Sequence, residues 1–205
     1  MNILAIDTTG KTEIIVAQLN SKTYIKEYNC TKHSETLLDN VQSILHKGKC
    51  SLSDIDVFGV VNGPGSFTGI RIGVATIKAF AFALHKPVVC ANRFEIIASG
   101  YSGYSLLSCT KSSVYYCNLD NMQYGVCDND QLSKAISLDS NIIVLANESV
   151  GSLDCYNNVQ IVDNYAQLLL PYLMHKVQSG DTCTSNQVEP LYIQVSQAER
   201  MFVGK

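Results

Sequence analysis

The segment most suited to chemistry is Gly63-Pro64-Gly65-Ser66-Phe67-Thr68-Gly69. It follows the apolar run Val57–Val61 and leads into a long apolar stretch, so it joins a strand to a helix. Glycines at such a junction let backbone N–H groups approach a ligand, and the helix start carries the positive end of the dipole. Two readings stay open: a phosphate cradle built on Gly63 and Gly65, or a tight turn with close packing. The Lys-Ser/Thr pair of a P-loop is missing, and the spacing is not that of G-x-G-x-x-G. Asp7-Thr8-Thr9, closing the apolar run Ile3–Ile6, is the second candidate. A carboxylate followed by two hydroxyls can hold a metal-bound nucleotide phosphate, and it equally suits an Asx-type turn. The four histidines form no H-E-x-x-H or H-x-x-x-H pair, and no G-x-S-x-G elbow occurs. For a hydrolase this is a poor set of residues.

The elements that would carry these residues are legible from periodicity. Short apolar runs at Ile3–Ile6, Ile14–Leu19 and Thr23–Tyr28, with short connections, predict an antiparallel meander. From Ser34 to Lys47 the period changes. Leu37, Leu38, Val41, Ile44 and Leu45 make one helical stripe, with Ser34 expected as N-cap and Gly48 as the stop. A strand at Val57–Val61, a helix over Ile70–Leu84, a strand at Val88–Cys90 and a helix over Arg93–Ser99 complete an α/β unit with crossovers. Looser signals follow: strands at Ser105–Leu107, Val114–Leu119, Gln123–Cys127, Ile142–Ala146 and Gln160–Val162, and helices over Gln131–Ile136 and Tyr165–Gln178. Ser99-Gly100-Tyr101-Ser102-Gly103 is the expected boundary between lobes spanning 1–99 and 100–205.

The helix over Ile70–Leu84 is apolar nearly all round, which demands burial on nearly all sides. Either the chain supplies that burial or a second subunit does. Gly69 and Gly73 lie four apart and so share a helical face that permits close backbone approach.

Composition limits the function classes. The chain has 205 residues, 46% of them hydrophobic and 16% charged, enough apolar material for a packed core. A net charge of −3 gives no field favouring a phosphate backbone. Residues 1–100 carry 10 Lys/Arg and 8 Asp/Glu, and residues 101–205 carry 5 and 10, so a basic face would sit in the first half. Eight cysteines show no C-x-x-C, against a zinc ribbon or a thioredoxin-type site. Without a signal-peptide pattern or an uncharged run of 18 residues, the expectation is a soluble cytoplasmic chain that does not meet a membrane.

Ile3-Leu4-Ala5-Ile6-Asp7-Thr8-Thr9, His33-Ser34-Glu35-Thr36-Leu37-Leu38 and Gly63-Pro64-Gly65-Ser66-Phe67-Thr68-Gly69-Ile70-Arg71-Ile72-Gly73, in this order and spacing, resemble the bacterial TsaB (YeaZ) family of tRNA threonylcarbamoyladenosine biosynthesis proteins. The likeness covers residues 1–97 and resumes at Glu189-Pro190-Leu191-Tyr192. It implies an α/β fold of the actin-like, sugar-kinase-like (ASKHA) type, two lobes of mixed sheets flanked by helices, the second reduced. It implies a non-catalytic subunit of the complex that transfers threonylcarbamoyl to the adenosine next to the anticodon in tRNAs reading codons that start with A. The implied partners are the TsaD paralogue in a heterodimer, the TsaE ATPase, and a second copy when the chain is alone, with tRNA met only through the complex. No cofactor is implied for the isolated chain; ATP or ADP and a metal ion belong to the partner complex. The resemblance also implies that the two helices meet a partner, through His33, Ser34, Leu37, Leu38, Val41, Gly69, Ile70, Gly73, Val74 and Ile77. Asp7, Thr8, Thr9, Gly63 and Gly65 remain candidates for nucleotide. The competing reading is a stand-alone actin-like kinase or acyltransferase using them on ATP. Two departures stand out: Ser108–Tyr115 keeps only Val-Tyr of the family's Asp-Ala-Arg-x-Gly-Glu-Val-Tyr, and Gln194 replaces a common Arg.

Overall fold

In the computed structural model, residues 1–29 and 33–194 are described. Ten strands form two five-stranded mixed sheets. In the first, β1 (Ile3–Asp7), β2 (Thr12–Leu19) and β3 (Lys22–Asn29) are the expected meander; β4 (Val57–Val61) and β5 (Val88–Ala91) join β1 in parallel, giving the order β3-β2-β1-β4-β5. The second repeats this plan. β6 (Tyr104–Ser108), β7 (Ser113–Asn118) and β8 (Gln123–Asp128) form a meander, and β9 (Asn141–Leu145) and β10 (Asn158–Val162) pair in parallel on the far side of β6. The order β8-β7-β6-β9-β10 is that of the first sheet.

Helices fill the layers between and outside the sheets. α1 (His33–Gly48) and α2 (Phe67–Leu84) cover the outer face of the first sheet, where Leu4, Ile6, Phe58 and Val60 meet Leu37, Val41, Ile70, Val74 and Ile77. α3 (Arg93–Ala98) and α5 (Tyr165–Gln178) lie between the sheets in a shared core that joins Ile3, Ala5 and Val89 to Leu107, Tyr115 and Ile143. α5 belongs to the second half of the sequence yet also packs on β2 and β5. Among the described residues, the outer face of the second sheet has only the one-turn α4 (Leu132–Ala135) and the segment 146–157, closing over Leu106, Val114, Ile142 and Val144. Apolar residues pointing both ways from β1 and β4 explain their continuous apolar runs.

Four local expectations are corrected. α1 begins at His33, placing Ser34 inside the first turn rather than at the cap. It continues through Gly48, and Lys49 takes the left-handed conformation (φ 53°). Gly48 is needed for space instead, because a Cβ there would stand 2.3 Å from Leu19 Cδ1. α2 begins three residues before Ile70, capped by Ser66, whose hydroxyl accepts the Gly69 N–H (3.3 Å). Gly69 lowers helix propensity in the first turn, which hides that turn from periodicity. The helix expected over Gln131–Ile136 shrinks to α4, preceded by a 3₁₀ turn at Asn129–Gln131.

Candidate functional site

Asp7 ends β1 and is buried at the junction of the lobes. Its Oδ1 accepts the Thr9 N–H (2.8 Å) and the Thr9 hydroxyl (2.6 Å), the Asx-type turn that its sequence allows. Its Oδ2 accepts the hydroxyl of Tyr165, the first residue of α5 (2.9 Å). Burial, then the Asp7 charge, push the Tyr165 phenol well above its ordinary range, so it stays protonated and donates. Both carboxylate oxygens are therefore engaged within the chain.

The glycine loop closes on this same turn. Ser66 N–H donates to Thr9 O (2.7 Å), and Thr8 Oγ1 donates to Gly69 O (2.7 Å). A Cβ on Gly65 would stand 2.2 Å from Thr9 O, and one on Gly69 1.9 Å from Thr8 O. Gly63 is left-handed (φ 137°), and a Cβ there would stand 2.4 Å from Leu191 O. Leu191 N–H in turn donates to Asn62 O (2.8 Å), holding the Glu189–Tyr192 segment over the loop. The structure brings Asp7, Thr8, Thr9, Gly63 and Gly65 together, and the contacts it shows there are those of the close-packed turn, one of the two readings the sequence leaves open. The glycines make room for the chain's own carbonyl oxygens, those of Thr8, Thr9 and Leu191.

The lobes are tied by residues that sequence reasoning did not single out. Three consecutive residues after β9 each reach the first lobe: Asn147 Nδ2 donates to Thr12 Oγ1 (3.0 Å), Glu148 pairs with Arg93 (2.6 Å), and Ser149 Oγ accepts from Lys11 Nζ (2.9 Å). Arg93 and Glu148 are 3% and 4% exposed. Ser108 donates its N–H (2.7 Å) and its hydroxyl to Glu148 Oε2. Burial would raise the Glu148 carboxyl, but the Arg93 charge and the Ser108 donors outweigh it and hold it below the usual carboxylate range. Arg93 also lies over the Tyr165 ring (5.7 Å). Ser108, which opens the stretch that departs from the family's charged pattern, is thus committed to the latch. Gln194 Oε1 accepts from Cys109 Sγ (3.0 Å). A cavity of about 230 Å³ lined by Thr12, Asn29, Asn147, Asp163 and Tyr165 sits beside this latch.

α2 has two faces of different character. Ile70, Gly73, Val74, Ile77 and Ala81 point at the sheet, and a Cβ on Gly73 would stand 2.5 Å from Thr8 Oγ1. The close approach read from Gly69 and Gly73 is real, but its occupant is the β1–β2 turn, not a partner helix. Leu37, Ile70, Val74 and Ile77 are likewise sealed in the chain's own core and cannot touch a partner, and Val41, 3% exposed, lies at the floor of the groove between the helices. Ser34 and Leu38 do face outward, Leu38 at 61% exposure. The side chain of His33 lies outside the described residues. The outer side of α2 carries exposed Ala75, Ala79 and Ala83, four residues apart, with Phe82 (67% exposed) on one flank. On the other flank, Leu38, Val41, Leu45 and Phe80 line a cavity of about 420 Å³ between α1 and α2. Outward residues as small and apolar as these explain why the helix reads as apolar all round. Among the described residues α2 is the one helix long and apolar enough to cross a membrane, yet its inner face is committed to the sheet.

Two sheets of identical strand order, with helices between and outside them and a buried carboxylate at their junction, define a two-lobed α/β protein of the actin-like class. Residues 19–139 match the family model described as TsaD: tRNA N6-adenosine threonylcarbamoyltransferase, and the chain belongs to that family. It is similar to the tRNA threonylcarbamoyladenosine biosynthesis proteins TsaB of Bacillus subtilis (36% identity over 102 residues, 48% of this chain and 44% of the relative) and Escherichia coli (35% over 102 residues, 49% and 44%). The matched region thus spans less than half the length of these curated relatives. Among solved structures, YeaZ from Pseudomonas aeruginosa has the same fold, with a TM-score of 0.75 at 19% identity over 93% of this chain and 99% of that one.

Proposed function

We propose that the chain acts as a non-catalytic subunit of the machinery that makes threonylcarbamoyladenosine in tRNA, joining it through the outer faces of α1 and α2. The observation that carries this reading is the exposed ridge of Ala75, Ala79 and Ala83, flanked by Phe82 and Leu38. A row of small side chains lets another helix approach closely, and the flanking large ones supply apolar area that would otherwise face water. The likeness to TsaB proteins over about half of this chain supplies the context. The occupants that fit are the TsaD paralogue and, when the chain is alone, a second copy; the TsaE ATPase and tRNA are met through the assembled complex. Nucleotide and metal then belong to the partners. The kinase or acyltransferase reading has no specific observation behind it, because Asp7 is spent on Thr9 and Tyr165 and the glycine loop on carbonyl groups.

The test is co-purification of the full chain with the TsaD-type paralogue and TsaE, with and without Ala79→Arg. The reading expects wild type to bring down the paralogue and the variant to fold but lose it. Retention of the paralogue by a folded Ala79→Arg protein would refute the assigned face. Mg-ATP hydrolysis by the isolated wild-type chain, abolished by Asp7→Asn, would refute the non-catalytic role.

A further inference from the structure

The two sheets have four edge strands, and three of them are protected. β5 is covered at Val88 by main-chain bonds to Cys183, β3 carries Lys22, Lys26 and Glu27, and β8 ends on Asp128 with α4 packed against it. Charge and cover are the usual defences of a sheet edge. β10, the fourth, reads Asn158-Val159-Gln160-Ile161-Val162, with neither a charge nor a proline. Val162 O accepts the Ala146 N–H (2.8 Å) on the β9 side. Backbone polar groups alternate sides along a strand, so Asn158, Gln160 and Val162 spend theirs on β9. Val159 and Ile161 turn theirs to the open edge. Their side chains lie beside Ile142 and Val144 on the outer face of the sheet, 39% and 59% exposed. Asn158 and Gln160 point the other way and are also exposed. With Tyr101, Ser102, Asn141 and Asn157 they line a cavity of about 570 Å³ that holds no charged side chain.

We propose that a second copy of this chain adds its own β10 to this edge, antiparallel about a two-fold axis at Gln160, joining two second lobes into one ten-stranded sheet. The occupant must bring free backbone donors and acceptors, two aliphatic side chains on one face and uncharged amides on the other. β10 itself carries that set, which is what a two-fold contact requires of a single patch. With the two Gln160 residues opposite each other, Val159 stands against the partner's Ile161 and Ile161 against the partner's Val159. These two pairs exchange the unspent N–H and C=O groups of the edge. The Gln160 pair between them is not hydrogen-bonded, so its Cα atoms come within about 4.5 Å. No like charges oppose one another along the five residues. The contact is short, because Asn157 N–H already donates to Leu138 O and closes the edge before Asn158. It buries less than the about 1,200 Å² at which stable interfaces begin, so the association is weak and needs concentrated protein. It lies on the second lobe, apart from the α2 face, so a chain using both contacts assembles beyond a dimer.

The experiment follows the full chain by sedimentation from dilute to concentrated solution. Ala79→Arg, which blocks the α2 face, is expected to pass from monomer to dimer as concentration rises. Adding Ile161→Lys should abolish that step at an unchanged thermal midpoint, since Ile161 is exposed and the two new charges face an apolar edge. In wild type the same substitution should stop assembly at the dimer. Mild oxidation of Gln160→Cys should give a disulfide joining the two introduced thiols, located by mass spectrometry of unreduced peptides. If Ala79→Arg sediments as wild type does and Ile161→Lys makes both monomeric, the α2 assignment fails and the β10 pairing stands. The proposal is overturned if Ala79→Arg stays monomeric at every concentration, if folded Ile161→Lys associates as its parent does, or if Gln160→Cys couples only to native cysteines such as exposed Cys155.

Discussion

The two lobes share one strand order and differ in what crosses between corresponding strands. From β4 to β5 the chain passes through a glycine loop and the 18-residue helix α2. From β9 to β10 it passes through residues 146–157, which contain no helix. In the first lobe the crossover builds a layer: α2 buries one face on the sheet and leaves the other bare. In the second, the shorter crossover turns its first residues inward, where Asn147, Glu148 and Ser149 grip the first lobe. One lobe carries an outer helix with a bare face, while the other uses the same place in the fold as a latch. An open cleft with a movable second lobe suits a nucleotide-driven enzyme; a latched one suits a rigid platform.

The latch should carry the largest effect. Glu148→Gln leaves Arg93 buried without its counter-charge, and breaking a buried pair costs about 3–5 kcal/mol. Denaturant unfolding would read that loss, and the double variant Arg93→Met/Glu148→Leu should recover part of it. The same pair sets an acid limit. Because the folded-state Glu148 carboxyl titrates below the usual range, its contribution is complete above that range and is lost as pH falls through it, below about pH 4. Thermal midpoints taken from neutral to acid pH should fall steeply there in wild type and less steeply in Glu148→Gln.

The contact of the glycine loop with the β1–β2 turn comes next. Gly69→Ala places a methyl where Thr8 O now sits, so the turn must retreat; overpacking of this kind costs about 1–3 kcal/mol. The gain in helix propensity, about 1 kcal/mol or less, does not offset it. A lowered unfolding midpoint is the expected readout. Smaller still is Asn147→Ala, which removes one side-chain bond to Thr12 across the lobes and should cost about 0.5–1.5 kcal/mol in the same assay.

The first lobe is legible in the sequence because its signals are local. Alternation and short turns give the meander, the Leu37–Leu45 stripe gives α1, and Gly-Pro-Gly marks the junction before α2. Two of the boundaries that fail do so where glycine serves packing rather than backbone freedom: Gly48 sits against Leu19, and Gly69 against Thr8. Spacing says that Gly69 and Gly73 permit a close approach, but it cannot say which part of the molecule approaches. The latch was not legible at all. Arg93 and Glu148 are 55 residues apart, in unremarkable contexts, and each looks like an ordinary surface charge until the sheets are placed face to face. The signal available was the pair of polar runs after corresponding strands, Asn62-Gly63 after β4 and Asn147-Glu148 after β9, which becomes visible only once the duplicated strand order is known.

The central claim is that α2 serves its own chain with one face and a partner with the other. Gly73→Leu and Ala79→Arg, six residues apart and so about 120° apart in rotation, the first buried and the second exposed, separate the two roles when thermal midpoint and sedimentation are measured on both proteins. The account predicts that Gly73→Leu lowers the midpoint, by overpacking worth about 1–3 kcal/mol, while its folded fraction associates as wild type does. Ala79→Arg should hold its midpoint to within about 0.5 kcal/mol of wild-type stability and sediment as a monomer at concentrations where wild type is a dimer. The reverse pattern, with association lost in Gly73→Leu at an unchanged midpoint and kept in Ala79→Arg, would contradict it.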